Sequence, residues 1–199
     1  NLRLNGYPTH PYGIKITRLD DVDYCEDIIH RNIYRRAVRR TRFALKHSDG
    51  IIYQSKVAKN INEGVLGIKP KKSTIIYNGT GEDVNFKNHT YDDGVHYVHA
   101  CQKAFPMRRI DRLLEVWVNF VEDRPNAFLH LIHDRNEEFD MPNLNTTNVV
   151  VHDIMEEKEL NGFIKNAHAC ISIKYQDSCP NFILEMIACG TPVITSNTN

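Results

Sequence analysis

The sequence predicts an α/β protein built from two units, each with a parallel sheet. Short apolar strands alternate with helices of about ten residues along the chain, which is the pattern of right-handed βαβ units. The charge balance also differs between the halves: residues 1–88 contain 16 Lys and Arg against 9 Asp and Glu, and residues 89–199 contain 9 against 16. We therefore expect units 1–88 and 89–199, joined by the polar stretch Asn85–Asp93.

Hydrophobic periodicity and turn residues place the elements of the first unit. Asn78-Gly79-Thr80-Gly81 after its last strand is expected to form a turn that needs positive φ. The predicted order is strand Ile14–Arg18, helix Ile28–Lys46, strand Ile51–Tyr53, a helix from Gln54-Ser55 to Leu66, and strand Ser73–Tyr77.

The second unit repeats this alternation, so its strands are expected to form a parallel sheet with helices on both faces. The predicted order is strand Val95–His99, helix Ile110–Glu122, strand Ala127–His133, strand Val149–His152, helix Lys158–Ala167, strand Cys170–Ile173, helix Asn181–Cys189 and strand Pro192–Thr195.

The first predicted helix has a basic face and an apolar face. The apolar arc contains Ile33, Tyr34, Ala37, Val38, Ala44 and Leu45, and the opposite arc contains Arg31, Arg35, Arg39, Arg42 and Lys46. A solvated helix face is the simplest interpretation of the basic row. Contact with an acidic membrane surface is the second, and nucleic-acid binding, for which a row of Arg is the electrostatic footprint, is the third.

The stretch Tyr175–Asn197 (YQDSCPNFILEMIACGTPVITSN) contains the pattern most informative about chemistry. A strand leads into a loop with Asp177, and a helix then begins after Pro180, which suits a helix start because it has no N–H to leave unpaired. The free N–H groups of such a start form an anion site at the carboxyl ends of parallel strands. Glu185 lies one turn further on, within reach of a sugar hydroxyl. Together these features suit a nucleotide sugar.

This stretch resembles the retaining glycosyltransferases of family 4, which have the GT-B architecture of two Rossmann-like domains. Their E-x7-E motif is matched by Asp177 to Glu185, with Asp at the first position, and the following A-C-G-x-P-V-I matches through Thr195. The resemblance implies that Asp177 binds donor-sugar hydroxyls and Glu185 the nucleotide ribose. It also implies that backbone amides of the loop and helix start meet the donor sugar or phosphate, around Cys179, Pro180, Asn181 and Phe182.

A basic pair is the second feature of this resemblance. The family commonly has G-R-x-x-x-x-K-G after the first strand of the donor domain, and here Lys103 matches the Arg and Arg108 the Lys. Two cations that flank a pyrophosphate would hold it by charge-assisted hydrogen bonds. The first unit matches through S-D-G-I-I-Y-Q-S at Ser48–Ser55 and I-I-Y-N-G at Ile75–Gly79. The family's Gly-rich N-terminal loop and final helix have no counterpart, which predicts a fragment that lacks both ends and an incomplete N-terminal domain.

The sequence offers little for a metal or a membrane span. No apolar run approaches the roughly 18 residues that a spanning helix needs. Five cysteines without a C-x-x-C pair argue against a disulfide framework and a zinc ribbon, so a cytoplasmic setting is expected. The histidine pairs His96/His99 and His130/His133 are three apart on predicted strands, so each pair lies on opposite faces and is expected to be structural.

The expected function is transfer of a sugar from a UDP-, GDP- or ADP-sugar to a hydroxyl acceptor, a glycan or a lipid-linked molecule, with retention at the anomeric carbon and without a metal. Two alternatives stay open. The chain could be a nucleotide-sugar-binding module without turnover, which donor hydrolysis would distinguish. A nucleic-acid binder that uses the basic helix is the less favoured alternative, and salt-dependent binding to nucleic acid would test it.

Overall fold

The computed structural model describes residues 13–19, 31–81, 93–100, 109–133, 147–174 and 178–196. The chain divides into two compact units, residues 1–77 and 78–199. Each unit contains one sheet, and every strand pair in both sheets is parallel. The predicted α/β class with two parallel sheets is therefore confirmed. The stretch expected to be a linker lies outside the described residues except for Asp93.

Unit 1 contains a three-stranded sheet in the order β1-β2-β3. Helix α2 begins where the Ser55 hydroxyl accepts a hydrogen bond from the Ala58 amide at 2.9 Å, and it ends at Gly67 with φ 61°. Both ends were predicted from these residues. The elements are β1 (Ile16–Leu19), α1 (Arg31–His47), β2 (Gly50–Tyr53), α2 (Lys56–Leu66) and β3 (Ser73–Ile75).

The two faces predicted for α1 are present where its side chains are described. Ala44 and Leu45 are buried and pack with Ile51 and Tyr53 of β2. The basic side chains of the opposite face are exposed, as are its aromatic neighbours: Arg35, Arg39, Arg42, Lys46, Phe43 and His47. Among the side chains that the structure describes, the apolar arc of α1 therefore faces the sheet and the basic side chains face solvent.

Unit 2 contains a five-stranded sheet in the order β6-β5-β4-β7-β8. Because β4 leads through α3 to β5 on one side and β7 leads through α5 to β8 on the other, the direction of winding reverses between β4 and β7. The elements are β4 (Val95–Ala100), α3 (Ile110–Glu122), β5 (Ala127–Ile132), β6 (Val149–His152), α4 (Glu157–Asn166), β7 (Ala169–Ser172), α5 (Asn181–Ala188) and β8 (Val193–Thr195).

Helices cover both faces of this sheet. Helix α3 contributes Leu113, Leu114, Trp117 and Val121 to a core with Leu129, Leu131 and Ile171. On the opposite face, residues of α4 and α5 pack against Val98, Ile132 and Cys170. Burial on both faces explains why these strands are mostly apolar, with histidine as the main polar residue type in β4, β5 and β6.

One local prediction is wrong. Asn78-Gly79 does not form a turn with positive φ: the chain from Ile76 to Gly81 has no turn, and Gly79 does not have a positive φ. Instead, the Asn78 side-chain amide donates a hydrogen bond to Asn181 Oδ1 at 2.7 Å. Asparagine was taken there as a turn residue, whereas its side chain bonds a residue 103 positions away.

Candidate functional site

The carboxyl ends of β4 and β7 form the topological switch point of the unit 2 sheet, where ligands of open α/β sheets bind. The segment that follows β4 contains Lys103 and Arg108, and the segment that follows β7 contains Asp177. These three residues lie outside the described residues, so their roles stay predictions. The strand ends that precede them are neighbours in the sheet, as the predicted site requires.

Arg109 is the first described residue after the segment with the predicted basic pair. It has φ 52°, the left-handed conformation, at the N-cap position of α3. An arginine rarely adopts this conformation, and strained backbone of this kind clusters at functional sites. The unusual backbone conformation of Arg109 therefore lies directly after Arg108, one of the two residues predicted to contact a phosphate.

Helix α5 begins close to the end of β7. Pro180 is its N-cap residue with φ −70°, and its carbonyl oxygen accepts from the Leu184 amide at 3.2 Å. No side chain caps this helix start. The first amides of a helix have no partner within the helix, and their N–H groups point outward along the helix axis. The positive end of the helix dipole lies at the same place. The predicted start at Asn181 is confirmed, and this helix start is suited to an anion.

The residues predicted around this helix start differ in exposure. Asn181 is exposed, Cys179 and Pro180 are partly exposed, and Ser178 before them is buried. The partly buried Phe182 side chain packs against the core under α4 and α5. The contact predicted for the backbone amide of Phe182 stays a prediction.

Glu185 lies four residues after Asn181, so the two side chains are on the same face of α5 one turn apart. Its side chain is partly exposed. A carboxylate at this place is one turn from the predicted anion site, which is the spacing expected for a hydroxyl next to a bound phosphate.

The buried thiols near α5 are poor candidates for a nucleophile. Burial raises the pKa of the Cys170 thiol to about 12, and it also raises the pKa of Cys189. Both side chains pack with Ile164 and Met186 in the core. Because the thiolate is the reactive form, these cysteines serve packing rather than covalent catalysis.

A row of hydrogen-bonded side chains crosses three strands of unit 2, and we call Asp93, His96, His130 and His152 the imidazole ladder. Asp93 Oδ1 lies 3.1 Å from His96 Nε2, His96 Nδ1 lies 2.8 Å from His130 Nε2, and His130 Nδ1 lies 2.9 Å from His152 Nε2. Neutral rings that each donate toward Asp93 satisfy all three contacts. Burial, followed by the neighbouring rings of His152 and His96, lowers the pKa of His130 to about 4.

This ladder was not predicted from the sequence. Along one strand His96 and His99 do lie on opposite faces, but His96 and His130 come from neighbouring strands and share a face. Phe163 of α4 covers this face, with ring centroids 5.6 Å from His130 and 4.7 Å from His152. His152 pairs with Ile132, and His130 lies two residues before Ile132 on the same face of the sheet. The ladder therefore becomes visible only once the register of the strands is known.

The described residues contain neither a metal-binding cluster nor a helix suited to span a membrane. Within the described ranges, no group of three or more His, Cys, Asp or Glu side chains is arranged to hold a metal ion. None of the helices in the part of the chain that the structure covers is long and apolar enough to cross a membrane.

The two parallel sheets, with a helix start at the switch point of the second, define the fold of the GT-B glycosyltransferases. No family profile and no curated protein sequence matches the chain. Among solved structures it is similar to WaaG, a glycosyltransferase involved in lipopolysaccharide biosynthesis (TM-score 0.71, 15% identity, 94% of this chain and 57% of WaaG). It is also similar to sucrose-phosphate synthase from Thermosynechococcus elongatus (TM-score 0.69, 14% identity, 92% of this chain and 50% of that one).

A third similar structure is the pneumococcal O-GlcNAc transferase GtfA in complex with UDP and GlcNAc (TM-score 0.64, 11% identity, 92% of this chain and 37% of that one). Identities this low show the fold alone. The chain spans about half the length of the first two structures. The predicted GT-B fold is thus confirmed, and more than nine tenths of this chain matches part of each of these longer structures.

Proposed function

We propose that the chain binds a nucleoside diphosphate sugar at the carboxyl end of the unit 2 sheet and forms part of a retaining glycosyltransferase. The observation that supports this best is the uncapped start of α5 at the switch point, with Glu185 one turn further along the same face. In this proposal residues 89–199 are the donor domain and residues 1–88 part of the acceptor-side domain.

Each predicted side chain has one role. The amides of Cys179, Asn181 and Phe182, with the dipole of α5, bind the donor phosphate or the sugar next to it. Glu185 accepts a hydrogen bond from the ribose, and Asp177 binds hydroxyls of the donor sugar. Lys103 and Arg108 neutralise the diphosphate, which leaves with the electrons of the broken C–O bond. The acceptor oxygen forms the new bond to the anomeric carbon, and its proton goes to the departing diphosphate. Two side-chain cations and a helix dipole perform the charge stabilisation that a metal ion would otherwise supply.

The basic face of α1 supports a second part of the proposal, peripheral contact with an anionic membrane surface in the cytoplasm. Seven Lys and Arg and no Asp or Glu lie between Arg31 and His47. Phe43, 53% exposed, packs against His47 with ring centroids 4.5 Å apart and the ring planes tilted by 36°. Each cation near an anionic bilayer contributes about 1 kcal/mol, and an exposed aromatic ring among the cations adds apolar contact. This surface would bring unit 1 to a lipid-linked acceptor.

Vesicle sedimentation tests the membrane contact. Vesicles that contain roughly 30–40% anionic lipid, as a mimic of a cytoplasmic leaflet, should bind the chain. Vesicles that contain only neutral lipid should not bind it. Replacing Arg35, Arg39 and Arg42 by Gln should abolish binding, whereas the control Lys69→Gln/Lys71→Gln/Lys72→Gln, outside α1, should leave it. Equal retention by duplex DNA with the same α1 dependence would favour nucleic-acid binding instead.

A thermal-shift panel tests the donor site. We expect one of the UDP-, GDP- or ADP-sugars to raise the melting temperature, since a ligand at 100 times its Kd stabilises a protein by about 2.7 kcal/mol. The shift should persist in EDTA. A chain that binds the donor but neither hydrolyses nor transfers the sugar would be a binding module without turnover. A panel without any shift would contradict the proposal.

A further inference from the structure

The seam between β4 and β7 is shorter than the seams on either side of it. β4 pairs with β5 along all six residues up to Ala100↔Ile132, and β7 pairs with β8 up to Ser172↔Thr195. Between β4 and β7, in the described part of the sheet, pairing stops two residues earlier, at Val98↔Cys170. The sheet is therefore open at the carboxyl end of its central seam, where the two predicted donor segments leave it.

The His99 side chain of β4 makes a hydrogen bond across this opening to β7. This side chain is 1% exposed, and its Nδ1 lies 2.8 Å from the carbonyl oxygen of Ile171 in β7. Because a carbonyl only accepts, Nδ1 must be the protonated nitrogen. A side chain of β4 thus bonds the β7 backbone one residue beyond the last strand pair, at the level where a backbone ladder would otherwise continue.

Side-chain and backbone hydrogen bonds fix different spacings. A backbone ladder holds neighbouring strands about 4.8 Å apart, whereas a hydrogen bond from an imidazole side chain spans a longer path between the two backbones and still satisfies the carbonyl oxygen. Both predicted segments, with Lys103 and Arg108 after β4 and Asp177 after β7, start within a few residues of this bond. A change in its length would therefore move the two sides of the site relative to each other.

We propose that His99 is a positioning residue of the donor site, which sets the width of the crevice between β4 and β7 through its bond to Ile171. The inference rests on the proposed function, since it assigns His99 a part in binding the nucleoside diphosphate without contact to it. Deletion of the Nδ1–H donor should close or loosen the crevice and weaken diphosphate binding in folded protein.

The test compares two replacements by calorimetry, with the nucleoside diphosphate that the wild type binds best, at a temperature where all variants are folded. His99→Leu fills similar space without a donor, and its affinity should fall roughly tenfold, the scale of one hydrogen bond. His99→Asn places an amide N–H near the position of Nδ1 and should restore affinity to within about threefold of wild type.

Val121→Ala is the control variant. It removes buried volume from the core between α3 and the sheet, near the carboxyl end of α3. It should lower the melting temperature without changing affinity. Unchanged affinity in His99→Leu would overturn the inference, and so would equal weakening by Val121→Ala, because both results indicate a purely structural role. If the wild type binds no nucleoside diphosphate, the proposed function fails instead.

If the His99→Leu variant does not fold, the experiment uses His99→Gln in its place. Its amide lies one methylene further from the backbone than that of asparagine, so we expect a folded protein with weaker diphosphate binding than His99→Asn. Equal affinity of the glutamine and asparagine variants would show that the spacing at this seam does not matter, which also overturns the inference.

Discussion

Acidification should destabilise unit 2 through His130, the central ring of the imidazole ladder. Burial lowers its pKa from 6.5 to about 4, and the rings on both sides act in the same direction. Between these two values the unfolded chain binds a proton that the folded chain does not. The contribution of His130 to the free energy of unfolding therefore rises with pH from about 4 to 6.5 and is constant above 6.5. This contribution is lost as the pH falls from 6.5 toward 4.

The size of the effect follows from that shift. With a folded pKa of about 4 and an unfolded pKa of 6.5, His130 should cost about 2 kcal/mol of stability between pH 7.5 and pH 5. With urea slopes of about 1–3 kcal/mol/M for a domain of this size, the urea midpoint should move by roughly 1 M. Urea melts at pH 7.5, 6.5, 5.5 and 5.0 measure this directly.

Two variants separate His130 from the carboxylates that titrate in the same range. His130→Phe removes the titrating ring, so the pH dependence between 7.5 and 5 should shrink by about 2 kcal/mol although stability at pH 7.5 also falls. His47→Gln, on the exposed face of α1, is the control and should keep the wild-type slope. The same slope in His130→Phe and in wild type would refute the assignment, because the ladder would then not be the acid-labile element.

Three further predictions concern the site and the fold. Glu185→Ala should weaken nucleoside diphosphate binding roughly tenfold in calorimetry with little change in melting temperature, because a partly exposed carboxylate adds little to packing; a large loss of stability with unchanged affinity would contradict its role. Lys103→Ala and Arg108→Ala should each weaken diphosphate binding about ten- to a hundredfold but spare a nucleoside without phosphates, and their effects should be non-additive by more than about 0.5 kcal/mol; a double variant that binds like wild type would make them surface charges. Gly94→Ala should destabilise unit 2 by about 1–3 kcal/mol in urea melts, since a Cβ there would overlap the Asn126 carbonyl oxygen and lie 2.7 Å from the Phe128 ring; wild-type stability would contradict this.

Most of the fold was predictable because its signals are local. Ser55, Gly67, Pro180 and Gly190 mark helix ends by their own backbone and side-chain chemistry, and the structure places helix ends at each of them. The predicted bounds of α3 agree residue by residue, because its apolar residues recur with helical spacing and a Pro follows its end.

What could not be predicted depends on contacts between distant residues. The imidazole ladder requires the register of β4, β5 and β6, and His99 becomes significant only because β4 and β7 are neighbours. Asn78 was interpreted from its preference for turns, whereas a partner in α5 determines its conformation. Of the site, the helix start and Glu185 lie where the motif placed them, and Lys103, Arg108 and Asp177 stay predictions from the sequence.

An NMR titration tests the central claim, that unit 2 binds a nucleoside diphosphate at the switch point of its sheet. Isotope-labelled protein would be titrated with the nucleotide that gives the largest thermal shift, and backbone amide shifts would be followed by residue. We expect saturable changes at the amides of Cys179, Asn181 and Phe182 and at the ends of β4 and β7, with the amides of α1 unchanged. Changes confined to α1, or no saturable change at the start of α5, would contradict it.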